Sequence, residues 1–221
     1  NPNTNLPNQA IVPVHRSDGS GTTFVFTSWL FASSQDWRNS HIGHNLTVSW
    51  PTTGELGESG SSAVTSTVAS TSGAIGYAEL NYAKTGGTHV TYAAVQDPSG
   101  QFILPNNANT AAAAQAIAPN LPAGTADWAN VTIINQPNGA YPLATFTYAM
   151  VYQDLGKAYG SSIDQNTAQW VVHFLWWAVN ASGGQNSAQG LFFVPLPPAV
   201  IAEDQTSIKT IVYNGAALET P

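Results

Sequence analysis

Cysteine is absent from all 221 residues, and methionine occurs once. The missing thiols exclude disulfides, thiol nucleophiles and cysteine-ligated metals, so stability must come from a packed core. Charge is nearly as scarce. Five Lys or Arg and twelve Asp or Glu make up 8% of the chain, against roughly 25% in an ordinary soluble domain, and solubility therefore leans on Asn, Gln, Ser and Thr. A formal net charge of -7 opposes nonspecific attraction to nucleic acid or to an anionic membrane. The aromatic residues have no basic stripe beside them and make no nucleic-acid surface. No apolar run reaches the roughly 18 residues of a membrane-spanning helix. The opening Asn1-Pro2-Asn3-Thr4-Asn5 has neither the basic nor the apolar region of a signal peptide. A secreted chain already stripped of its leader fits both observations.

What is present is a chain that is 43% hydrophobic, enough for one large domain or two modest lobes. Residues 1–9 read as a polar lead-in. Ile11–Val14 reads as a short buried strand, Thr22–Ala32 as a helix, and Leu46–Trp50, which stops at Pro51, as a second strand. Gly54–Gly60 reads as a loop, Ser61–Ala69 as a short helix and Gly73–Ala78 as a strand. Further on come a strand at Val90–Val95, a helix at Ala111–Ala118, an extended stretch at Trp128–Ile134 and a turn at 135–139. A strand over Ala144–Tyr152 then precedes a long helix that begins at an Asp164 cap and ends at Gly183-Gly184. Strands mixed with helices at this spacing favour an α/β fold over an all-β sandwich.

The chemistry concentrates in Arg16-Ser17-Asp18-Gly19-Ser20-Gly21-Thr22-Thr23, between the first strand and the first helix. A helix start exposes unpaired N–H groups, which Ser20, Thr22 or Thr23 can cap. Gly19 and Gly21 allow close approach of backbone to an oxyanion. Arg16 supplies two parallel donors, and Asp18 is near enough to hold it. Together these can surround one tetrahedral anion. An ordinary capped turn with a surface Arg–Asp pair fits the same spacing.

This stretch, with Phe24-Val25-Phe26-Thr27 after it, resembles the phosphate-binding proteins of bacterial phosphate ABC transporters, the PstS-like family. Val48-Ser49-Trp50-Pro51, Gly73-Ala74-Ile75-Gly76-Tyr77-Ala78-Glu79, Phe174-Leu175-Trp176-Trp177-Ala178 and Leu196-Pro197-Pro198-Ala199-Val200 are similar to later family segments in the same order. The resemblance implies a two-lobe periplasmic-binding-protein-like α/β fold, with one lobe nearly complete at 10–141 and the other only partly present at 142–221. It implies capture of inorganic phosphate outside the cytoplasm, without catalysis or cofactor, by Arg16, Ser20, Gly21 and Thr22, with Asp18 orienting Arg16. It also implies a complementary N-terminal chain or segment and an ABC transporter permease as partners. One departure stands out: Glu55 and Glu58 occupy the Gly-rich loop where that family carries a Lys, which makes the rim of the site more acidic. A surface structural or adhesive protein built on the same scaffold is the alternative expectation.

Competing chemistries find little support. His41 and His44 have ligand-like spacing but no carboxylate partner nearby, and His173 sits among apolar helix residues. No Walker A pattern occurs, and residues 18–22 do not satisfy the G-x-S-x-G nucleophile elbow.

Overall fold

The computed structural model describes residues 5–85, 90–134 and 138–221. The expected lead-in at 1–9 and turn at 135–139 lie partly outside them, and His89 wholly so. The chain divides into two compact units, Asn1–Ala93 and Ala94–Pro221.

In the first unit β1 (Val12–Arg16) leads to α1 (Gly21–Ser33) and α2 (Gln35–Asn39), then β2 (Leu56–Glu58), α3 (Ser61–Ser70), β3 (Ala74–Gly76) and α4 (Leu80–Thr85). The strands form a parallel sheet in the order β2-β1-β3. Pro13 stands in the central strand, where a proline normally costs a ladder bond. Val12 donates to the Gly73 carbonyl at 3.0 Å and Ser17 to the Glu58 carbonyl at 2.9 Å, so even positions of β1 face β3 and odd ones face β2. Pairing with β2 begins only at Val14, opposite Leu56, so the missing N–H of Pro13 falls before β2 starts. Val14 and Val64 are buried between the sheet and α3. A Cβ at Gly76 would stand 3.0 Å from the Val14 carbonyl and 3.0 Å from Val64 Cγ1, which is why glycine holds this position on β3.

The second unit holds β4 (Val95–Gln96) paired with β5 (Phe102–Ile103), followed by α5 (Asn107–Ile117), α6 (Leu155–Tyr159), α7 (Gln165–Val179), α8 (Gly184–Gln189) and α9 (Pro198–Ile208). A hairpin of β6 (Val212–Tyr213) and β7 (Ala216–Ala217) comes last. Asp164 caps α7 as expected, accepting from Thr167 N at 2.7 Å. Leu155, Ala168, Val172, Ile208, Ile211 and Leu218 form its larger core, and Ala113, Ile133, Ala140 and Ala144 a smaller one. Asp97 ties the β4–β5 turn together: one carboxylate oxygen accepts from Ser99 N, Ser99 Oγ and Gln101 N, and the other from Gly139 N at 2.8 Å.

Several expected strands do not form. Ala144–Tyr152, Leu46–Trp50 and Trp128–Ile134 lie outside regular strands, and Val90–Val95 shrinks to the two-residue β4. Alternating apolar residues fit a pleat, but a strand also needs a neighbouring backbone, and none among the described residues pairs with these stretches. The opposite correction applies to Gly54–Gly60. Gly54 and Gly60 adopt positive φ and bracket β2, which supplies the parallel partner of β1. The helix of Asp164–Ala181 ends at Val179, with Asn180 as its C-cap, before the two glycines.

Candidate anion-binding site

The sheet order β2-β1-β3 places successive connections on opposite sides of β1. The carboxyl end of such a central strand is where open α/β sheets form a ligand crevice. Arg16 is the last residue of β1, Gly21 opens α1, and Tyr77 and Glu79 follow β3, so four chain segments with α3 meet at that end.

Asp18 holds the Arg16 guanidinium. Its Nε donates to Asp18 Oδ1 at 2.7 Å and its Nη2 to Oδ2 at 2.5 Å. The Arg16 side chain is 12% exposed and that of Asp18 36%, so the pair is partly withdrawn from solvent, which favours a fixed fork over a floppy surface contact. Gly60 N–H donates to Asp18 Oδ1 at 3.2 Å. The Arg16 hydrogen bonds first, and the Gly60 N–H next, hold the Asp18 carboxyl far below the usual carboxylate range. The same hydrogen bonds raise the Arg16 pKa. Nη1 of Arg16 donates to Ser61 Oγ at 3.1 Å. Three of its five N–H bonds are thus engaged among the described residues, leaving two.

Ser20 is buried and is the N-cap of α1, its Oγ accepting from Thr23 N at 3.3 Å while its own N–H donates to the Leu46 carbonyl. The backbone N–H groups of Gly21 and Thr22 belong to the first turn, where no intrahelical acceptor exists, and Gly21 is exposed. The Thr22 hydroxyl donates to Glu79 Oε1 at 2.7 Å. Tyr77 braces the turn from the β3 side: its OH accepts from Arg16 N at 3.1 Å and lies 2.7 Å from Thr23 Oγ1. Its ring stacks on Phe26 with centroids 4.7 Å apart and stands 5.8 Å from Trp50.

The structure therefore gathers Arg16, Asp18, Ser20, Gly21 and Thr22 in one turn and adds Ser61, Tyr77, Gly60 and Glu79, whose roles are not legible from sequence spacing. Glu79 is accessible yet partly desolvated, which works to raise its pKa. Hydrogen bonds from Ser61 and Thr22 and the Arg16 charge outweigh that and hold it below the ordinary value. Glu58 accepts from Thr67 Oγ1 at 2.8 Å, so its carboxylate is tied to α3. No group of three His, Cys, Asp or Glu gathers for a metal ion among the described residues, and no described helix is long and apolar enough to cross a membrane.

The model of the PBP superfamily domain matches residues 2–181. Phosphate-binding protein PstS of Xylella fastidiosa (strain Temecula1) is 32% identical over 209 residues, covering 92% of this chain and 51% of that protein. Phosphate-binding protein PstS of Haemophilus influenzae is 34% identical over 213 residues, covering 95% and 58%. A more distant relative, alkaline phosphatase L of Pseudomonas aeruginosa, is 28% identical over 221 residues, covering 92% and 52%. The chain spans about half the length of these relatives.

Proposed function

Because the chain belongs to the PBP superfamily, a family whose α/β architecture it shares and whose similar members here are mostly named as binding proteins, we propose that it captures a small oxyanion, inorganic phosphate foremost, and performs no chemistry on it. The observation that carries this reading is the Arg16 fork, clamped by Asp18 at the carboxyl end of β1 beside the first-turn N–H groups of Gly21 and Thr22. Arg16 contributes charge and two remaining N–H bonds, Gly21 and Thr22 contribute backbone donors, and Ser20 fixes the helix start that aims them. Long-range repulsion from the net charge of -7 makes these short-range donors the source of affinity.

The proposal includes an extracytoplasmic location, as a receptor handing phosphate to an ABC transporter permease or as a scavenger. It also includes a complementary N-terminal segment, in the same polypeptide or as a separate chain, that contributes further contacts in keeping with the greater length of the relatives. Calorimetric titration with phosphate, arsenate and sulfate tests the reading. Phosphate heat that disappears in Arg16→Ala is the expected result; no phosphate heat, or equal affinity after Arg16→Ala, overturns it. A second reading, association into a surface assembly, is favoured by the exposed aromatic residues Trp170, Phe174 and Trp177. It predicts extended association and a melting temperature that phosphate leaves unmoved.

A further inference from the structure

A hydroxyl beside the Arg16 fork, that of Thr22, already serves a carboxylate of this chain. Thr22 has one hydroxyl proton, and it lies along the 2.7 Å bond to Glu79 Oε1. Ser61 Oγ accepts an Arg16 N–H, and Glu79 feels the Arg16 charge. Glu79 thus collects the Thr22 hydroxyl and the field of a guanidinium, donors that a tetrahedral oxyanion would also ask for. Resting on the oxyanion reading above, we infer that Glu79 is an internal competitor of the bound anion, a positioning residue that sets affinity by holding the hydroxyl of Thr22.

The number of hydroxyl protons sets the competition. A hydroxyl donates once, so an anion seated on the Gly21 and Thr22 N–H groups receives the Thr22 hydroxyl proton only when that proton leaves Glu79. Until then the Thr22 oxygen faces the anion with lone pairs, and the ionised Glu79 adds like-charge repulsion. Arg16 opposes both effects but is shared with Asp18. The groups that act on Glu79 are Thr22 on α1, which donates to it, Ser61 on α3 and the Arg16 charge at the end of β1. Tyr77 stands two residues before it and interacts with Arg16. Glu79 is accessible, so it can yield the Thr22 hydroxyl by a side-chain rotation with little repacking.

Titration of the wild-type chain, Glu79→Gln, Thr22→Val and the double variant with inorganic phosphate and with sulfate tests this. Glutamine keeps an acceptor oxygen but loses the charge, and exchanging a hydrogen bond to a charged group for a neutral one corresponds to about a tenfold change in binding, so Glu79→Gln should tighten both anions by about tenfold. Thr22→Val should weaken phosphate more in the Glu79→Gln background than in the wild type, a coupling that a merely structural Glu79 would not produce. A measurement on the unmutated chain stands beside the variants. The Glu79 carboxyl, followed by NMR through an acid titration, should show a higher pKa with phosphate than without it, because binding takes its Thr22 hydrogen bond and adds an anionic neighbour. Phosphate binding with affinity unchanged or weakened in Glu79→Gln, or a Glu79 titration that phosphate does not move, overturns the inference alone. Absence of phosphate and sulfate binding in both the wild type and Glu79→Gln overturns the oxyanion reading and the inference with it.

Discussion

Asp18 receives two Arg16 N–H bonds and the Gly60 N–H, and so joins β1 to the start of α3 as well as fixing the fork. Its folded pKa is depressed, so its contribution to stability is present above the ordinary carboxylate pKa and is lost as pH falls through the lower folded value. Asp18→Asn should therefore lower the melting temperature at neutral pH and much less in strong acid, and should weaken phosphate binding together with it; parallel thermal melts and titrations check both. Asp204 on α9 has the opposite sign. Burial, helped by the neighbouring Glu203 charge, pushes its carboxyl up to about 6. Its ionised form costs stability as pH rises from the ordinary carboxylate range through that value, and the cost is full at neutral pH. One pKa unit is about 1.4 kcal/mol. With solvent screening of a partly exposed group, Asp204→Asn should add about 1 kcal/mol at neutral pH. The gain should vanish below about pH 4, as denaturant titrations at the two pH values would show. Of these residues, Arg16 and Asp18 were legible in the sequence because they sit two positions apart in one turn. Glu79 and Ser61 were not, since they reach the turn only through the pairing of β3 with β1 and the packing of α3.

The turn's own helix explains why patterning reads some elements and misses others. α1 carries Phe24, Val25, Phe26, Trp29, Leu30 and Phe31 around much of its circumference, so no apolar stripe marks its inner face. Its fully buried residues are Thr23 and Thr27, each with a satisfied hydroxyl: Thr23 meets Tyr77, and Thr27 donates to the Thr23 carbonyl at 2.8 Å. Phe24 and Phe31 remain accessible and flank His44 edge-on. Caps are local and were readable, as at Asp164 and Ser20. Sheet partners are not, and Leu56–Glu58 became β2 because β1 offered it a parallel edge, while Leu46–Trp50 found none and instead lends the Leu46 carbonyl to Ser20. Short helices such as α6 and the Pro-started α9 escaped notice for the same reason, since tertiary contacts rather than periodicity hold them. At Gly76 the packing of α3 on the sheet is tight enough to test. The Cβ of Gly76→Ala would press on Val14, Val64 and Val68. Overpacking of this kind costs about 1–3 kcal/mol, and a denaturant midpoint that did not fall would show that α3 can slide on the sheet.

The second unit leaves an unusual amount of aromatic surface in water. On α7, Ala168 and Val172 are buried, whereas Trp170 is 65%, Phe174 61% and Trp177 50% exposed. These three recur at i, i+4 and i+7, one continuous helix face. Val171, Phe174, Leu175 and Trp176 are apolar neighbours on the same helix. Only Phe174 of that set stands clear; Val171, Leu175 and Trp176 pack against the Leu155–Val172 core. The stretch expected as a strand over Ala144–Tyr152 adds Tyr148, Met150 and Tyr152, at 52%, 97% and 61% exposed. An exposed apolar helix face such as that of α7 marks an interaction site more often than a solvated face, and a segment matching the relatives' further length is the proposed occupant. The triple substitution Trp170→Gln, Phe174→Gln, Trp177→Gln removes side chains that touch little of the core, so the thermal midpoint should hardly move. If the face receives a complementary segment or chain, the triple variant should fail to bind it in sizing experiments while keeping any phosphate binding that the turn at Arg16 provides on its own. A wild-type chain that stays monodisperse near 23.2 kDa, binds no hydrophobic dye and takes up phosphate tightly without any added segment would defeat the proposal of a companion, and would leave the aromatic face of α7 without a partner to explain it.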